Sequence, residues 1–150
     1  MNILKAGVIA MTMATATLAN AGELIVKQSA HSVDVTLDRL TAAVEGAGAK
    51  VFSRVDHAKG AASVDQELRP TQMLMLGNPK LGTPAMLLNQ TAGLDLPLRV
   101  VAYEDEAGKV FVAYHPPSNL SANHGLPADA EVIAKMTGAL DKLTNKATGE

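Results

Sequence analysis

Four histidines, His31, His57, His115 and His124, are the side chains of this 150-residue chain best suited to move a proton near neutral pH. No two of them stand at HExxH or H-x3–5-H spacing, so no zinc site is legible from spacing. His57 follows Asp56 in a polar stretch, and His124 lies ahead of the last helix. Each is a candidate general acid or base, and these two are also the candidate metal or haem ligands. A loop histidine making structural hydrogen bonds is the competing reading for both. Met73 and Met75 share one face of a strand, where thioethers can hold Cu(I). Set among Leu74 and Leu76, they read more simply as core filling. The pair Asp95 and Glu104 and the run Glu104-Asp105-Glu106 have no spacing that supports acid–base work. No G-x-S-x-G occurs, so an enzymatic role stays open without a named nucleophile.

The densest unusual segment is Gly77-Asn78-Pro79-Lys80-Leu81-Gly82-Thr83-Pro84, between a strand end and a helix start. Backbone N–H groups at a helix N-terminus attract anions, and Lys80 would add a charge, so a phosphate or carboxylate could sit there. The spacing is not that of a Walker loop, which joins Gly-Lys-Ser/Thr directly to the helix. A rigid turn with a capped helix explains the same residues. The candidate ligand-binding set is therefore Asp56, His57, Gly77, Asn78, Lys80, Gly82, Thr83 and His124.

These residues need elements to hold them. Leu24–Val26 suits a first strand, and Ser32 suits a helix cap with Asp34 in the first turn. Val33, Leu37, Leu40 and Val44 make one helical stripe that Gly46 and Gly48 end. Lys50–Val55 predicts a strand running into a polar loop, Asp56–Gly60. Gln72–Leu76 predicts another, and Thr83-Pro84 opens a short helix over Ala85–Asn89. Leu98–Glu104 and Val110–His115 form a hairpin around Asp105–Gly108. After a Pro/Asn/Ser-rich connection, Pro116–Pro127, a last helix runs from about Ala128 to Leu143, with Ile133, Met136, Leu140 and Leu143 on one face; a polar tail follows from Asn145. Clustered strands with two main helices predict an α+β two-layer sandwich, antiparallel-rich, with its helices on one face.

Composition narrows the function further. Lys5, the uncharged run Ala6–Leu18 and Ala19-Asn20-Ala21 have the layout of a cleavable export signal. The apolar run is shorter than the roughly 20 residues a membrane span needs. The expectation is a signal over 1–21, one domain over 22–150, a periplasmic or secreted location, and no stable membrane insertion after cleavage. Cleavage removes Lys5 and moves the formal charge from −2 to −3, which offers nucleic acid no electrostatic footprint. With no cysteine, disulfides, thiol catalysis and thiolate metal sites are excluded. Phe52, Tyr103, Phe111 and Tyr114 are the whole aromatic content, so the core must be aliphatic.

From Arg54 onward the stretches RVDHAKGA (54–61), ELRPTQMLMLGNPKLGTPAM (67–86), GLDLPLRVVAYEDEAGKVFVAYHPP (93–117) and ANHGL (122–126) resemble the DUF302 family, a domain of unknown function. The resemblance covers essentially the whole chain after the signal. It implies a β-α-β(4)-α order and a homodimer, and it brings no reaction or cofactor. Its recurrent positions fall on Asp56, His57, Gly77, Asn78, Pro79, Lys80, Gly82, Thr83, Pro84, Leu96, Pro97 and His124. Asn123, where an arginine is expected, and His115, where an asparagine is commoner, depart from the pattern. The resulting expectation is an exported, non-catalytic binding or accessory module for a small molecule or partner. Metal or haem handling through His and Met, and an enzyme with a histidine acid or base, are the alternatives.

Overall fold

The computed structural model describes residues 24–149, so the predicted export signal lies outside the described residues. Five strands form one sheet: β1 (Ile25–Ser29), β2 (Lys50–Asp56), β3 (Thr71–Gly77), β4 (Leu98–Glu104) and β5 (Val110–Tyr114). Their spatial order is β1-β5-β4-β3-β2, and every neighbouring pair is antiparallel. The helices α1 (Val33–Gly46) and α5 (Glu131–Thr148) pack on the face carrying Leu74, Leu76, Val100 and Val112. This is the predicted α+β sandwich in β-α-β(4)-α order. Three short helices interrupt it: α2 (His57–Ala62), α3 (Pro79–Leu88) and α4 (Asn119–His124), with a 3₁₀ helix at Gln90–Leu94.

Period-3.6 patterning accounts for α1. All four stripe residues are buried, and Ser32 Oγ accepts from Val35 N at 3.3 Å. Three expectations are corrected. Asp56–Gly60 is no loop: the Asp56 carboxylate accepts from Lys59 N at 2.9 Å and starts α2 at His57. The helix read from Thr83-Pro84 begins earlier, at Pro79, because Asn78-Pro79 supplies an equally good cap and first position. Pro84 thus falls inside α3 on an exposed turn, where water can reach the Lys80 carbonyl that a proline cannot serve.

The third correction is the polar tail, which continues α5 to Thr148. Tertiary anchors hold it. Lys27 Nζ donates to Asp141 Oδ1 (2.6 Å), Thr144 Oγ1 (2.9 Å) and Asn145 Oδ1. The Arg39 guanidinium reaches the carbonyls of Lys146 and Ala147, where a cation suits the negative helix end. A second apolar cluster joins α3, the 3₁₀ helix, α4 and the start of α5 through Ala85, Ala92, Leu120, Leu126, Ile133 and Met136. It fixes the end of the sheet at which β3 stops and β4 begins.

Candidate functional site

At that end the structure holds an apolar cleft and, beside it, a buried polar cluster. The cleft has a volume of about 290 Å³. Gly77 and Phe52 line it from the sheet, Leu81 and Met86 from α3, Leu96 and Pro97 from the entry to β4, and Met136, Ala139, Leu140 and Leu143 from α5. The Leu96–Pro97 peptide is cis. Gly77 stands between the Phe52 ring and Pro97: a Cβ there would lie at ordinary contact distance, 3.5 Å from the ring and 3.6 Å from Pro97 Cβ.

The polar cluster is centred on His124, whose side chain is 6 % exposed. Its Nε2 is 2.8 Å from Asp95 Oδ2, and its Nδ1 is 3.1 Å from Thr91 Oγ1. Asn123 Nδ2 donates to the same Asp95 oxygen at 3.3 Å, and Arg99 Nη2 to the other at 3.2 Å. Asn89 closes the ring of contacts: Nδ2 donates to the His124 carbonyl at 2.7 Å, and Oδ1 accepts from Thr91 N and Oγ1. Because an ionised carboxylate only accepts, Nε2 carries a proton toward Asp95. In the neutral ring Nδ1 then accepts from the Thr91 hydroxyl. In the imidazolium Nδ1 donates instead, and the hydroxyl turns to Asn89 Oδ1. The cluster is satisfied in both states. Both ring nitrogens are engaged, by Asp95 and by Thr91, so the cluster is a clip that ties α4 to the 3₁₀ helix and the segment that enters β4.

The His124 hydrogen bond, with lesser help from Asn123 and Arg99, holds the Asp95 carboxyl below the ordinary aspartate range. A depressed folded value adds stability that is present above the ordinary range and is lost as pH falls through the folded value. Urea midpoints measured between about pH 5 and pH 2 should therefore decline less steeply for Asp95→Asn than for the parent. Equal slopes would remove Asp95 from the acid response.

The candidate residues divide. Gly77, Asn78, Gly82 and Thr83 line the cleft, and His124 sits in the adjoining cluster. Lys80 lies on the other side of α3, in a second depression with Glu131 and Lys135. Asp56 and His57 stand at the opposite end of the sheet, a strand length of about 20 Å away. There Asp56 caps α2, and the His57 residue is exposed. Among the described residues no three His, Asp or Glu side chains are grouped to hold a metal ion. Thr91, Asn89 and Asp95 were not legible as site residues; Asp95 and Glu104, written as a pair in the sequence, lie at opposite ends of β4. Asn123, at the position where the family resemblance leads to an arginine, donates to Asp95.

Residues 25–143 match the family described as domain of unknown function DUF302. This chain belongs to the DUF302 family. The DUF302 domain is 40 % identical over 129 residues to the protein named fluoride-specific ion channel FluC 1 of Brucella suis biovar 1 (strain 1330), covering 85 % of this chain and 50 % of that protein. It is likewise 40 % identical over 129 residues to fluoride-specific ion channel FluC 2 of Brucella melitensis biotype 1 (strain ATCC 23456 / CCUG 17765 / NCTC 10094 / 16M), covering 85 % of this chain and 47 % of that one. The chain thus spans about half the length of the curated relatives it matches. Among solved structures, the uncharacterized conserved protein DUF302 from Bacillus stearothermophilus shares the fold: TM-score 0.75, 18 % identity, 83 % of this chain and 97 % of the other covered. No helix among the described residues of the DUF302 domain is long and apolar enough to cross a membrane.

Proposed function

We propose that this DUF302 domain is an exported, non-catalytic module that binds a small molecule in the cleft between α3 and α5. The observation that carries the reading is the cleft itself. Its lining draws together Gly77–Pro79, Leu81–Thr83 and Leu96-Pro97, which hold most of the unusual residues. The closed hydrogen bonding around His124 speaks for support of that end of the fold rather than for turnover. As an accessory unit, the domain would serve beside other machinery. In the Brucella relatives the matching half belongs to proteins named as fluoride-specific ion channels.

Native mass spectrometry of protein taken from its own periplasm tests this directly. The expected chain begins at Gly22 and carries one small molecule, which Ala139→Phe, a side chain added at the cleft wall, excludes. An empty wild-type chain, or a ligand that Ala139→Phe retains, would count against the cleft.

We also propose a homodimer through the sheet face turned away from α1 and α5. There Val55, Met73, Val101, Ala113 and Val26 face one another in a single row across all five strands. Tyr103 stacks on Phe111 beside it, ring centroids 5.8 Å apart. Val101→Glu would place a charge at the middle of that row. It is expected to convert a dimer to a monomer in sedimentation velocity, and a wild-type monomer at micromolar concentration would dismiss the interface.

A further inference from the structure

We propose that the cleft takes an uncharged, largely hydrocarbon small molecule, and not the phosphate or carboxylate that its glycine- and lysine-bearing sequence suggests. This rests on the reading of the cleft as the ligand site and names the class of ligand. The anion's usual donors are already spent at the start of α3. Pro79 has no N–H, Lys80 N donates to Asn78 Oδ1 at 2.9 Å, and the N–H groups of Leu81 and Gly82 both donate to the Asn78 carbonyl at 2.8 and 2.9 Å. Among the described residues, no charged side chain lines the cleft. Lys80, Glu131 and Lys135 gather instead in the depression beyond α3, and Glu131 is paired with Lys135 at 2.8 Å. An anion moved into the cleft would lose its water and meet no cation, a cost that no contact on the wall offsets.

The walls fit an apolar guest. Leu76, Leu81, Leu96, Leu140 and the Phe52 ring surround the space. Met86 from α3 and Met136 from α5 add flexible thioether side chains to the wall, which can adapt to a guest's outline. A dry cavity of about 150 Å³ accepts benzene. At about 290 Å³ this one has room for a fused two-ring compound or a medium-length alkyl chain. Among the described residues, Asn78 and Thr83 are the polar side chains on the wall, so a single hydroxyl or carbonyl on the guest could be met there.

The probe is 6-propionyl-2-(dimethylamino)naphthalene, an uncharged two-ring dye with one carbonyl whose emission shifts to the blue in apolar surroundings, titrated into the full mature chain. One saturable site per chain is expected, displaced by 1-octanol and indifferent to inorganic phosphate and acetate. Two blocking variants, Ala139→Phe on α5 and Gly82→Leu on α3, should each weaken dye binding at least tenfold. Gly82 suits the purpose because its backbone is not left-handed and a Cβ there meets nothing within 4 Å. Unchanged melting temperatures would show that both variants fold. Phosphate or acetate binding that the variants abolish, with no dye bound, would overturn the ligand class and keep the cleft as a site. Dye binding that neither variant weakens, or no binding of any probe, would overturn both.

Discussion

Leu140→Ala should lower the unfolding free energy by about 3.5 kcal/mol, the middle of the range for a buried leucine cut back to alanine. Leu140 is 1 % exposed, and it belongs to the main core with Leu37, Leu40, Leu74 and Val100 while also lining the cleft. Removing its terminal carbons therefore does two things. It deletes contacts between α5 and the sheet, and it joins the vacated space to the existing cleft. Because the cleft already lies alongside, the surroundings have little to collapse against, so the cost should not fall to the low end of the range. Against a total of about 5–15 kcal/mol for a domain of this size, the loss is severe. Urea unfolding should show a lower midpoint with an unchanged slope. A loss under about 1 kcal/mol would mean that α5 packs more loosely than described.

Asp95→Ala is the second large effect, expected at about 2 kcal/mol of stability. Truncation leaves the nearly buried Nε2–H of His124 without an acceptor and frees Arg99 and Asn123 from their shared partner. An unpaired buried donor costs about 1–3 kcal/mol, and the partial exposure of Asp95, about one third, argues against the upper end. Asp95→Asn keeps one acceptor oxygen and should cost about half as much. A double-mutant cycle with His124→Ala should return a large part of the Asp95→Ala loss as coupling energy, since both substitutions break the His124–Asp95 contact. The Arg99 and Asn123 contacts are lost only with Asp95. Independent, additive losses would show that the clip is not what Asp95 contributes.

What could be read from the sequence was what local patterning dictates. The stripe Val33, Leu37, Leu40 and Val44 announces α1 because each of those side chains faces one core. Gly108, at φ +73°, marks the hairpin because the loop needs a left-handed residue. The resemblance to DUF302 is matched over residues 25–143. The start of α3 was misplaced for a local reason: Asn78-Pro79 and Thr83-Pro84 offer the same signal twice, and only packing chooses between them. The end of α5 was misplaced for a distant one, since Asn145–Thr148 is polar and is held by Lys27 and Arg39 from more than 100 residues away. The clip was illegible for the same cause. Thr91 and Asp95 meet His124 across about 30 residues of chain, and no spacing rule encodes that encounter. The candidate site was half legible: most of Gly77–Thr83 does line a cleft, but its chemistry is set by Asn78, which consumes the donors that the glycines and lysine advertised.

The fastening of α5 against β1 has a mechanical consequence. Ala30 N donates to the Thr148 carbonyl, so the far end of β1 meets the last turn of α5, while Leu24 leaves from the other end of that edge strand. A pull applied through Leu24 and Gly149 would drag β1 lengthwise past β5 and load the bonds from Lys27 to α5. The strand's hydrogen bonds would then bear load together in shear instead of opening one at a time like a zipper. A domain loaded this way resists tension at the very edge where a sheet is ordinarily weakest.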